Sequence, residues 1–114
     1  DFTANTNEHV MEQVLSLFGP KRFVYGSDFQ IFRMKARRTV ENDVYINEVP
    51  AGSLGDLTNV AHMREIPYPE ASKITFFIYE EMVSCKRACE KLGLTKKDVE
   101  DIFYNNSAKL FGVN

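Results

Sequence analysis

The chain has 114 residues, enough for one domain with a real core, and its 44% hydrophobic and 26% charged content is that of an ordinary soluble globular protein. The formal net charge of −2 excludes the strong basic excess of a nucleic-acid binder. No apolar run approaches the roughly 20 residues that cross a bilayer, and the N-terminus carries no secretory signal pattern, so no membrane partner is expected.

In chain order, Val10, Met11, Val14, Leu15 and Phe18 fall at helical spacing and predict a helix from Asn7 to Phe18. Asn5, Thr6 and Asn7 are candidate N-caps, and Gly19-Pro20 stops the helix. A strand is expected over 22–26, with Phe23 to Gly26 as its apolar part. Apolar on both faces, such a strand belongs in the middle of a parallel sheet or barrel. Residues 30–69 read as a long irregular loop. Within it "VYINEV", 44–49, is a strand candidate, "PAGSLGDLTN" is turn-rich, and Pro50, Pro67 and Pro69 interrupt the pattern. A stretch of that length inside a compact domain reads as a functional loop or lid.

After Pro69 the residues Ile74, Ile78, Met82, Cys85, Cys89 and Leu92 predict a helix with one apolar stripe, closed by Gly93. Thr95 and Asp98 are spaced as a capping box with Asp in place of Glu. Val99, Ile102 and Phe103 form the next helical face, and Asn105 or Asn106 starts a last short helix ending at Gly112. Cys85 and Cys89 lie i, i+4 on one helical face, poor geometry for a disulfide, and they are not a C-x-x-C pair. Both read as reduced thiols, and the expected compartment is cytoplasmic.

The chemistry-bearing residues follow the expected strand. Ser27 and Asp28 stand just after Gly26. On residue type alone Asp28 is either the cap of the next turn or an acid presented at a strand tip. Ser27 has no histidine placed beside it by the sequence, so it reads as a local hydrogen-bonding group that orients Asp28. The basic run "RMKARR", 33–38, is either a solvated face or a pair of grips, Arg33 and Arg37, for a substrate carboxylate. His9 and His62 are isolated from each other and stand in no ligand spacing.

Three stretches, "DFTAN", "FGPKRFVYGSDF" and "DIFYNNSAKLFGV", resemble the C-terminal part of the amidohydrolase superfamily. The branch they look most like is the metal-dependent hydrolases and decarboxylases related to aminocarboxymuconate semialdehyde decarboxylase. In that family the last barrel strand finishes in Gly-Ser-Asp, here Gly26 to Asp28. The chain ends there on an Asn-Ala-x-x-Leu-Phe-Gly helix, here Asn106 to Gly112 with Ser107 inserted before Ala108.

The resemblance implies an α/β fold, with residues 1–114 a single segment from the C-terminal portion of a (β/α)8 TIM barrel, mostly helical as an isolated chain. It implies that Asp28 is a general base or metal ligand at the barrel mouth. The complete enzyme would hydrolyse, or non-oxidatively decarboxylate, a small polar or carboxylated substrate with a divalent metal ion, zinc by preference. The His-x-His pair and further histidines that the family uses as ligands have no counterpart here. The chain alone is therefore expected to be inactive and to hold no cofactor, its partners being the missing N-terminal barrel part or a second copy through self-association. A non-catalytic helical interaction domain is the alternative.

Overall fold

The computed structural model describes residues 6–26, 34–54 and 62–113. The first helix, α1 (Glu8–Phe18), begins where the Asn7 side chain accepts hydrogen bonds from the N–H groups of His9 and Val10, at 3.0 and 3.2 Å. Those donors have no partner inside the helix, so the cap satisfies them. The helix buries Met11 and Leu15 and stops at Gly19, whose φ of 73° suits glycine alone. Pro20 then opens one 3-10 turn, Pro20–Arg22.

The strand expected over 22–26 does not form. Phe23 is extended, at φ −109° and ψ 146°, but the segment joins no sheet. Helices meet its peptide groups instead. The Tyr25 N–H donates to the Ile102 carbonyl at 2.9 Å, and the Asn106 amide donates to the carbonyls of Phe23 and Pro20, at 2.6 and 2.9 Å.

The sheet lies within the stretch that reads as a loop. Strands β1 (Arg37–Glu41) and β2 (Val44–Pro50) form an antiparallel hairpin with Arg37 opposite Glu48 and Glu41 opposite Val44. Asn42 and Asp43 both take positive φ, 51° and 62°, and make the two-residue turn whose twist matches a hairpin. Strand β3 (Met63–Ile66) pairs parallel with β2, giving a mixed sheet of order β1-β2-β3. A barrel portion would carry only parallel strands alternating with helices. This hairpin in a mixed sheet makes a small α/β domain, and it overturns the expectation of a TIM barrel portion. The prolines misled the reading, for Pro50 ends β2 and Pro67 follows β3: they terminate strands without precluding them.

Helix α2 (Phe77–Lys91) starts later than Pro69, after a 3-10 turn (Glu70–Lys73) and an extended link in which Phe76 bridges Lys35. Its buried face is Phe77, Glu81, Ser84, Cys85, Ala88 and Cys89, so two polar residues sit where an apolar stripe was expected. The Gly93 N–H bonds back to the Glu90 carbonyl and the Leu94 N–H to that of Cys89, the paired closure that a left-handed glycine permits. Thr95 and Asp98 make the expected reciprocal capping box for α3 (Lys96–Glu100). The helix continues through a π segment, Asp101–Asn105, into α4 (Asn106–Phe111) and ends at Gly112.

Helices α1 and α2 lie side by side and run parallel, since Glu8 meets Arg87 at 3.5 Å and Glu12 meets Lys91 at 2.6 Å. Between and around them Met11, Leu15, Phe23, Cys85, Ala88, Cys89 and Ile102 make the helical core. Ala36, Val49 and Phe77 make a second core beneath the sheet.

The Thr95 box accounts for two of the free N–H groups at the start of α3. Thr95→Ala is expected to lower stability by about 1 kcal/mol, or the thermal midpoint by about 4 °C. A calorimetric melt of both proteins checks this.

Candidate functional site

Two polar assemblies order the chain, one where the helical body meets the sheet and one within the sheet. The first is a seam at the joint. Tyr25, at the end of the extended segment, donates its hydroxyl to Glu81 Oε2 at 3.4 Å, and Glu81 is fully buried on α2. The Tyr25 ring stacks on Phe103 with centroids 4.5 Å apart. Burial first, and then the Glu81 charge, push the Tyr25 hydroxyl well above the usual phenol range, so it is a fixed donor at any physiological pH. Arg38 of β1 lies within the field of Glu81, with its guanidinium 4.5 Å from the centre of the Tyr45 ring and its Nε donating to Asn47 at 2.9 Å. Burial lowers its affinity for the proton, while Tyr45 and Glu81 act the other way. The Thr6 hydroxyl accepts from the Arg38 N–H, and Ser84 donates to the Thr6 carbonyl, tying α1, β1 and α2 together.

The second is a carboxylate held by two arginines. Glu48, buried on β2, accepts from Arg37 Nε at 2.6 Å and from the Arg64 guanidinium, which also clasps Glu41. Burial alone would raise the Glu48 pKa, but the hydrogen bonds from Arg64 and Arg37 outweigh it and hold the carboxyl below its ordinary value.

Beside the seam a recess of about 390 Å³ opens between the start of α1, β1 and α2. Arg37, Arg38 and Arg87 line it with Thr6, Glu80 and Ser84. Glu8 and Glu80 also line the recess, and Arg37 and Arg87 already hold Glu48 and Glu8.

The residues expected from the sequence fare differently. Asp28 and Arg33 lie outside the described residues, as does Ser27. Arg37 is placed at the start of β1, engaged with Glu48 and 3.9 Å from Glu70. His9 is exposed on α1 within 3.9 Å of Glu12, and the His62 ring lies against Tyr45 at a tilt of 33°, with centroids 4.7 Å apart. Among the described residues no three His, Cys, Asp or Glu side chains gather as a metal site. Cys85 and Cys89 are free thiols.

Sequence reasoning missed Tyr25, Arg38, Glu48, Arg64 and Glu81. The signal for Glu81 was present: it stands four residues after Phe77 and four before Cys85, on the face that both bury. No local pattern marks Glu48, because its partners come from two other strands.

A carboxyl with a depressed native pKa stabilises the fold above its unfolded value, about 4.3, and that stability is lost as pH falls through the lower native value. Glu48→Gln is expected to lower stability at pH 7 by on the order of 1–2 kcal/mol and to flatten its fall between about pH 4.5 and pH 3. Denaturant melts of both proteins across that range check it; parallel curves would show that Glu48 is not the linked group. Comparison of the chain with protein-family models, with curated proteins and with solved structures finds no match to any of them.

Proposed function

We propose that the chain is part of a metal-dependent hydrolase or decarboxylase that acts on a small polar or carboxylated substrate, with the other metal ligands supplied by polypeptide outside this chain. Asp28 is its catalytic carboxylate, serving as general base or metal ligand, and Arg33 and Arg37 bind the substrate. The observation that supports this reading is the meeting of the two segments that carry the family resemblance. Asn106, first residue of the C-terminal motif, holds the Pro20 and Phe23 carbonyls just ahead of Gly26-Ser27-Asp28. The arginine-lined recess with Arg37 in its wall adds support for a carboxylated substrate.

The test is Asp28→Asn in the complete enzyme, assayed against small carboxylic and amide substrates with zinc or manganese supplied. Loss of a general base is expected to cut turnover on the order of 10²–10⁴-fold, with the thermal midpoint close to that of the parent. Turnover near the parent value at equal metal content would end the assignment.

A non-catalytic interaction domain is the second reading. Leu110 and Phe111 on the last helix are 69% and 74% exposed, with Tyr104 and Val113 exposed nearby, which supports a docking role. On that reading the chain self-associates through this helix. Phe111→Glu then shifts sedimentation from dimer to monomer, and Asp28→Asn changes nothing. A parent chain that sediments as a monomer at every concentration would sink it.

A further inference from the structure

Met82, Cys85 and Cys89 follow one another on α2 at steps of three and four residues, so their sulfur atoms share one side of the helix. All three line a single cavity of about 370 Å³ between α2 and the helix that begins at Lys96. Leu94, Val99 and Phe103 complete its apolar wall. Both thiols are buried and free.

One buried cysteine behaves as a small apolar side chain. Two thiols and a thioether facing one cavity are a donor set. Side chains four apart on a helix stand about 5–6 Å apart at Cβ. A disulfide needs roughly 3.5–4.5 Å, so the pair cannot close on itself without unwinding α2. A single metal atom bridging the two sulfurs does span that gap. Thiolate and thioether donors select soft ions, whereas zinc takes four ligands of nitrogen, oxygen or thiolate sulfur. The other donor at the cavity wall, Glu90, is 3.7 Å from Lys86 and engaged with it.

We propose that Cys85 and Cys89, with Met82 as third donor, form a binding site for a soft monovalent cation, Cu(I), in the cavity between α2 and α3. On binding, each thiol gives its proton to solvent and forms one sulfur–copper bond, while the Met82 thioether donates a lone pair without proton loss. Two thiolates and one Cu(I) leave a single negative charge. Lys86 and Lys96 also line the cavity, each paired with a carboxylate, Glu90 at 3.7 Å and Glu100 at 3.6 Å.

The test is an anaerobic titration of the reduced full chain with Cu(I) alone, in competition with a chromogenic Cu(I) chelator. The expected result is one copper per chain, with ultraviolet absorption from thiolate-to-copper charge transfer. Cys85→Ser and Cys89→Ser, checked for folding by circular dichroism, are each expected to weaken binding on the order of 100-fold, and Met82→Leu about 10-fold. X-ray absorption on the parent protein decides the matter even if a cysteine variant fails to fold: a shell of two or three sulfurs supports the site. A shell containing nitrogen or oxygen overturns it. So does stoichiometric zinc that displaces the copper, or copper binding unchanged in a folded cysteine variant.

Discussion

An extended apolar segment laid against helices has no neighbouring strand to take up its peptide hydrogen bonds, and buried peptide groups left without partners are costly. The arrangement of the helical body follows from how this chain meets that requirement between Pro20 and Tyr25. The last helices act as the missing strand. A backbone carbonyl from the π segment takes the Tyr25 N–H, and the Asn106 side chain supplies donors to two carbonyls at once. Because those bonds fix the C-terminal helices against the segment, Ile102 is pressed into the core formed by Met11, Leu15 and Phe23. The π segment has a role here: its last turn closes from the Asn106 N–H to the Asp101 carbonyl, a wider loop than an α turn, at the place where Ile102 and Asn106 must both face Phe23.

The polar seam at Tyr25, Glu81 and Arg38 links the helical body to the sheet by chemistry that packing alone would not specify. Apolar contacts tolerate small slides of one layer over another. A buried carboxylate that accepts a hydrogen bond from a phenol does not, since a shift leaves the charge or the donor unmet. The carboxylate of Glu48 does the same within the sheet, where Arg37 on β1 and Arg64 on β3 hold it from either side and so pin the register of all three strands.

Local signals in the sequence were read well wherever the physics was local. The Asn7 cap, the stop at Gly19-Pro20, the closure at Gly93 and the Thr95–Asp98 box each depend on a few adjacent residues, and each stands where those residues put it. The two failures have a common cause. "RFVYG" has the composition of a buried strand, but composition records burial and cannot say whether the partner is a strand or a helix. The strand candidate at 44–49 does form, as β2, but its hairpin partner β1 was hidden because the turn, Asn42-Asp43, lacks glycine and β1 carries charges that are balanced only across the sheet. Glu81 shows the same limit on a helix. Its hydrogen-bond donor Tyr25 stands 56 positions away in sequence, outside any window that periodicity inspects. As for the candidate site, Arg37 is placed and the arginine recess around it emerges only from the fold. Asp28 and Arg33 rest on sequence alone.

The parallel alignment of α1 with α2 has a kinetic side. Ser84 with Thr6, Lys91 with Glu12, and Asn106 with Pro20 join positions 78, 79 and 86 residues apart. Contacts so distant along the chain form only after a large loop has closed, and they place this helical body among the slower folders despite its helix content. On the ribosome the first helix would wait, with Met11 and Leu15 uncovered, until α2 and then α4 had emerged. The apolar face of α1 therefore stays uncovered until residues 78 and 79 positions further on have folded onto it, an interval in which it is open to aggregation.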